Sequence, residues 1–169
     1  MSDVVDNRFI NLSSVRLDDQ KQVMEKIRDE GHCPFCRENL ETYHKNPILN
    51  EGKFWILTEN QWPYEKTKHQ LLAIYKTHVE HLNELDPDSG KELFEFFINE
   101  SKKRNISGGG IALRFGLSEE GNYGSSVHHI HAHLIEPDLA VLGEHEAWKF
   151  KFGQSKNYHK DEKSEKNDV

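Results

Sequence analysis

Histidine stands at alternate positions in His129-Ile130-His131-Ala132-His133-Leu134-Ile135, and this alternation constrains the fold more than any other feature of the chain. In an extended strand, successive side chains point to opposite faces. His129, His131 and His133 therefore share one face, and Ile130, Ala132 and Leu134 share the other. The apolar face requires a packed layer behind it, while the imidazole face is free for chemistry. An isolated histidine is more often a structural residue than a catalytic one, so the context decides. The strand is preceded by Gly124-Ser125-Ser126-Val127, a glycine and two hydroxyls at its mouth. Backbone N–H groups and short hydroxyls in such a combination hold oxyanions such as phosphate.

The chain has 169 residues, enough for one domain with a genuine core. A formal net charge of -7 argues against general affinity for nucleic acid, although a few local donors suffice for a nucleotide pocket. No apolar stretch approaches the length of a membrane span. The N-terminus Met1-Ser2-Asp3-Val4-Val5-Asp6 lacks the layout of a signal peptide, so a cytoplasmic location with reduced cysteines is expected.

The pattern divides into an N-terminal arm over 1–14, a folded domain over 15–152 and a polar, disordered tail over 153–169. Val23, Met24 and Ile27 predict an amphipathic helix from Asp18 to Glu30, stopped by Gly31. Phe54 to Thr58 and Gln70 to Tyr75 read as strands. Asp86 reads as an N-cap with Pro87 at the first helical position, opening a helix to about Lys103. Ile111 to Phe115 is a third strand, and the histidine strand runs from Val127 to Ile135. The segment from Trp148 to Phe152 has three readings: a strand with Lys149 and Lys151 on one face, a cover over the pocket, or a solvated edge, which is favoured.

Cys33 and Cys36 enclose Pro34-Phe35 in a Cys-x-x-Cys knuckle. Such a pair can supply half of a tetrahedral zinc site, serve as a glutaredoxin-like redox couple, or be two free thiols. The redox reading needs a strand leading into the motif, whereas a helix precedes it here. Three histidines on one strand could also form a catalytic metal site, which would leave the cysteines without purpose.

The run from His129 to Ile135 resembles the signature of the histidine-triad (HIT) family at every position. Gly124 to Val127 is similar to that family's Gly-Gln-Ser-Val, with Ser125 in place of glutamine. Asn60-Gln61-Trp62-Pro63 resembles its Asn-x-x-Pro turn, and His69 to His78 its His-x-Leu segment, with Tyr75 replacing proline. The resemblance covers about residues 31–137.

This resemblance implies an α+β, HIT-like fold: an antiparallel sheet of about five strands, one long helix and a short N-terminal helix. It implies a nucleotidyl hydrolase or transferase cleaving at the α-phosphate, releasing AMP from a dinucleoside polyphosphate or a nucleoside phosphoramidate. His131 would be the nucleophile, His133 its phosphate-side helper, and Ser126 a stabiliser of charge on the phosphate. Asn60 would hold the ribose, with Gly124 and Ser125 also binding the nucleotide. Zinc-binding relatives imply a structural zinc on Cys33, Cys36, His78 and His129, with His81 as a nearby substitute for His78. A homodimer is implied as well. A nucleotide-binding module without useful catalysis is the alternative from another class.

Overall fold

The structure, a computed structural model, describes residues 8–153. The expected N-terminal arm lies partly, and the polar tail almost wholly, outside these residues. Five antiparallel strands form one sheet in the order β1-β2-β3-β5-β4. They are β1 (Ile48–Glu51), β2 (Trp55–Glu59), β3 (Thr67–Tyr75), β4 (Gly110–Arg114) and β5 (His131–Pro137). The helices are α1 (Asp18–Glu30), α2 (Arg37–Tyr43), α3 (Ser89–Arg104) and a single turn, α4 (Ser118–Gly121).

Helix α1 has the expected bounds. Asp18 and Asp19 stand at its positive end, and Gly31 ends it in the left-handed conformation. Helix α3 begins two residues later than the Asp86-Pro87 reading places it. The Asp86 carboxylate accepts the Asp88 N–H at 2.9 Å, and the Asp86 carbonyl accepts that of Ser89. Asp86 therefore closes a turn ahead of the helix, and Asp88 is the N-cap.

The histidine strand is also shorter than the alternation suggests, starting at His131 rather than Val127. Val127 instead makes an isolated bridge to Ile10, which packs with Met24, Ile27 and Cys33. The segment between is held by other partners: Ile130 N–H donates to Val79 O, and Tyr75 N–H donates to Ile130 O. The expected alternation of faces survives this bend, because Ile130, Ala132 and Leu134 all enter one core cluster.

That core lies between one sheet face and α3, where Leu93, Phe96 and Phe97 meet Trp55, Leu57, Leu71 and Ala73. The Trp55 indole N–H donates to Ser89 O at 2.9 Å, pinning β2 to the start of α3. Glu92 accepts the N–H groups of Lys53, Phe54 and Trp55, ordering the β1–β2 turn from the helix. On the opposite sheet face, Ile56, Leu72 and Ile74 pack on Leu40 of α2. In β3–β5 register Leu72 faces His133 and Ile74 faces His131, so the two imidazoles lie on this second face.

Candidate active site and metal centre

Beside that second face lies a cleft of about 490 Å³, lined by His131, His133, Asn60, Tyr64, Arg114 and residues 124–127, among others. His131 and His133 are buried, with ring centroids 5.1 Å apart. Their hydrogen bonds decide which nitrogen carries the proton. His131 Nδ1 lies 2.7 Å from the carbonyl of His129, which can only accept, so Nδ1 is the N–H nitrogen. Nε2 then keeps its lone pair as the nitrogen available to the cleft.

His133 has the reverse arrangement. Gln70 Oε1 accepts the N–H of Tyr64 at 2.6 Å, which orients the amide so that its NH2 donates to His133 Nδ1 at 3.1 Å. A neutral His133 with Nδ1 accepting carries its proton on Nε2. The pair thus offers one lone pair and one N–H. Both are held neutral: burial pushes the His131 pKa down to about 4, opposed by its bond to His129 and aided by the charge of Arg114. His133 is also lowered well below the ordinary value, by burial first and then by the charges of His131 and Arg114.

The remaining sequence-derived residues line the same cleft with different degrees of freedom. Ser126 is half-buried in its wall. Ser125 is buried, and its hydroxyl donates to Val127 O at 2.8 Å, which leaves only an acceptor for a ligand. Gly124 donates its N–H to Asn122 and has a φ of 89°. A Cβ on Gly124 would lie 3.3 Å from the backbone of Gly153, so the position also demands a small residue for close approach. Asn60 Oδ1 accepts the Trp62 N–H at 3.1 Å in an Asx turn, with its NH2 left for other work.

Four other residues bring donor atoms together outside the cleft. The ligand atoms of Cys33, Cys36, His78 and His129 lie within 4.8 Å of one another. Cys33 Sγ is 3.3 Å from His129 Nδ1, Cys36 Sγ is 3.5 Å from His78 Nδ1, and the two Nδ1 atoms are 3.1 Å apart. A tetrahedral zinc with ordinary Zn–S and Zn–N bonds separates its ligands by about 3.3–3.8 Å. His129 Nε2 faces Tyr75 O at 2.5 Å, and His78 Nε2 faces a Glu80 carboxylate oxygen at 3.1 Å. Both partners can only accept, so both Nδ1 lone pairs are directed into the cluster beside the two sulfurs, the orientation a metal ligand needs. Burial lowers the His129 pKa to about 3, so His129 itself stays neutral with its Nδ1 lone pair free to ligate. The donor set fits a metal ion.

His81, the substitute for His78, lies elsewhere and pairs with Glu120 at 3.6 Å. Burial raises the Cys33 thiol well above its ordinary value, the opposite of what a redox nucleophile needs. His129 turns to the cysteines while His131 and His133 face the cleft, so the three histidines do not converge on one ion.

Several residues in the cleft wall or, like Gln70, directly behind it carried no signal that the sequence reading used. Arg114 and Gln70 are buried polar residues, and Tyr64 sits 5.9 Å from the His133 ring. The segment from Trp148 to Phe152 corrects the favoured reading. It is neither a strand nor a solvated edge: Trp148 and Phe150 pack on Tyr64, and Phe150 also packs on His133. It is tied down by Arg114, which donates to Lys151 O, and by Gly153 N–H, which donates to Tyr123 O.

No protein-family model matches the sequence, and no curated protein is significantly similar to it. Solved structures are. A histidine triad nucleotide-binding protein from Candida albicans superposes with a TM-score of 0.52 at 19% identity, covering 71% of this chain and 85% of its own. This is the histidine-triad fold. A hypothetical protein from Leishmania major has the same relation, with a TM-score of 0.51 at 20% identity over 74% of this chain and 84% of that one. In the histidine-triad fold of this chain, the five-stranded antiparallel sheet and the long α3 are as expected from the motif. The short helix α2 is an addition to that expectation, and β1 supplies the edge strand to which the sequence reading assigns no segment.

Proposed function

We propose that the chain is a histidine-triad nucleotidyl hydrolase or transferase that works through a nucleotidyl-histidine intermediate. The observation that carries this reading is the opposed tautomers of His131 and His133 at the cleft. The lone pair of His131 Nε2 attacks the α-phosphorus of a nucleotide, an N–P bond forms, and the bond to the leaving group breaks with its electron pair. The imidazole becomes cationic, and the His129 carbonyl at its Nδ1–H stabilises that charge. His133 Nε2–H donates to a phosphate oxygen, and Ser126 supports it from the neighbouring wall. Water or another acceptor then displaces His131 and releases the nucleotide. Asn60 contacts the ribose, while Gly124 and Ser125 shape the phosphate end.

Zinc is the ion that two thiolates and two imidazoles in this geometry suit best, and its role is structural. Cys33, Cys36, His78 and His129 would hold it, and the bound ion would tie the cysteine knuckle to His129, whose backbone carbonyl orients His131. The thiols must stay reduced for this, in keeping with a cytoplasmic setting. Among the described residues no helix is long and apolar enough to cross a membrane. The chain functions as a homodimer, in keeping with the motif's relatives.

AMP release from diadenosine polyphosphates and from an adenosine phosphoramidate tests the reading. The wild-type protein releases AMP from at least one of them, and His131→Ala from none. If the wild type releases none, or if His131→Ala is as active, the reading fails.

A further inference from the structure

Arg114 is 9% exposed, at the end of β4 and directly opposite His131 in the sheet register. A buried guanidinium is ordinarily matched by a carboxylate, because an unpaired buried charge is costly. Arg114 has neutral partners instead. Nε and one NH2 group donate to Lys151 O at 3.1 and 2.6 Å, and the other NH2 group donates to the Tyr64 hydroxyl at 3.0 Å. Its Cζ lies 3.8 Å from the centroid of the Phe150 ring. Among the described residues it forms no ion pair, and these three bonds leave two of its five N–H donors for something else.

The wall around it has the same sign. Arg16, Lys149 and Lys151 also line the cleft, against one carboxylate residue, the exposed Glu65. In a chain of net charge -7 this is a local reversal, and low-dielectric walls focus such a field. The cationic set exceeds what the single charge of an α-phosphate diester would need.

We propose that Arg114 binds an anionic leaving group, so that the cleft favours nucleotides whose leaving group is itself a phosphate over those that release an amine. The inference rests on the nucleotidyl-transfer reading and names its substrate class. When the N–P bond to His131 forms, the breaking P–O bond sends its electron pair to a phosphate oxygen, and Arg114 receives that new negative charge. A phosphoramidate expels an amine, which has no such charge to give. The segment from Trp148 to Gly153 takes part by holding the guanidinium in place through Lys151 O and the Phe150 ring.

The test compares kcat/KM for diadenosine tetraphosphate and adenosine 5′-phosphoramidate in the wild type, Arg114→Gln and Arg114→Lys. Removing the charge lowers kcat/KM on the tetraphosphate by roughly 10- to 100-fold and on the phosphoramidate by less than about threefold. Arg114→Lys keeps most of the preference, because the charge and not the fork is what the leaving group reads. Equal losses on both substrates, or a lysine variant that behaves like glutamine, would reduce Arg114 to a strut for the covering segment and overturn the proposal. A second arm needs no catalysis: tripolyphosphate is titrated while the fluorescence of Trp62 and Trp148, both in the cleft wall, is followed. The wild type binds it, and Arg114→Gln binds at least about tenfold more weakly. Equal affinity, or no binding to the wild type, overturns the proposal. If no substrate yields AMP yet tripolyphosphate binds through Arg114, the enzyme reading fails and the anion site stands.

Discussion

Acidification is the perturbation that most sharply separates the proposed nucleophile, His131, from an ordinary histidine. In the proposed role His131 would attack only when neutral, and burial brings its pKa from 6.5 to about 4. At pH 5 an imidazole of ordinary pKa is roughly 3% neutral, whereas one at about 4 is roughly 90% neutral, a difference of about thirtyfold in competent enzyme. The acid limb of kcat/KM, which reports the free enzyme, therefore falls near pH 4. Stability moves with it. The folded pKa lies below the unfolded one, so the unfolded chain binds more protons between these values. Unfolding free energy is flat above about pH 6.5, falls as pH drops through the window, and levels off below about 4. The shift is worth about 3 kcal/mol for His131 at its low-pH limit. The assays are the pH dependence of kcat/KM from pH 7 to 4.5 in the wild type, and urea unfolding over the same range in the wild type and His131→Asn. An acid limb centred at pH 6–7, or the same unfolding slope with and without His131, would refute the reasoning.

Gln70→Glu keeps the shape of the side chain but makes it accept from His133 Nδ1–H, moving the proton off Nε2; kcat/KM should fall by roughly 10- to 100-fold. An unchanged value in steady-state assays would contradict the tautomer assigned to His133. Elemental analysis should find one zinc per chain in the wild type and in His81→Ala. His78→Ala should lose the zinc and about 10 °C of Tm in a thermal melt. Gly52→Ala would place a Cβ 2.4 Å from the carboxyl carbon of Glu92, displacing the acceptor of three turn N–H groups. Urea titration should show a loss of about 2 kcal/mol.

The sequence made legible what depends on local pattern. Helix α1 was readable at both ends because Asp18, Asp19 and Gly31 mark them and Met24 and Ile27 set the buried stripe. Alternation also assigned the faces of Ile130 to His133 correctly, although the regular ladder starts only at His131. Helix α2 and strand β1 were missed for the reason that short elements are: seven residues make barely two turns, and Ile48 to Glu51 shows no two-residue period. Among the candidate metal ligands, spacing suggested Cys33 and Cys36, but choosing His78 over His81 needed the turn after β3.

The harder residues are those defined by distant chain. Arg114 at a strand end reads as an exposed cation, and it becomes buried because the Phe150 ring and, from 37 residues away, the Lys151 carbonyl close over it. Gln70 has no sequence mark either, since its role depends on Tyr64 taking one end of its amide. Lys149 and Lys151 suggested a solvated strand by their alternation, yet the aromatic residues between and beside them carry the packing.

The covalent intermediate is the most direct test of the account. Wild-type protein is mixed for milliseconds with diadenosine tetraphosphate labelled in the adenosine, then quenched in base, where a P–N bond survives. Intact mass and peptide mapping should locate one adenylyl group on His131, absent from His131→Ala. Label on another residue, or AMP formed with no protein-bound adenylate at any time, would contradict the account.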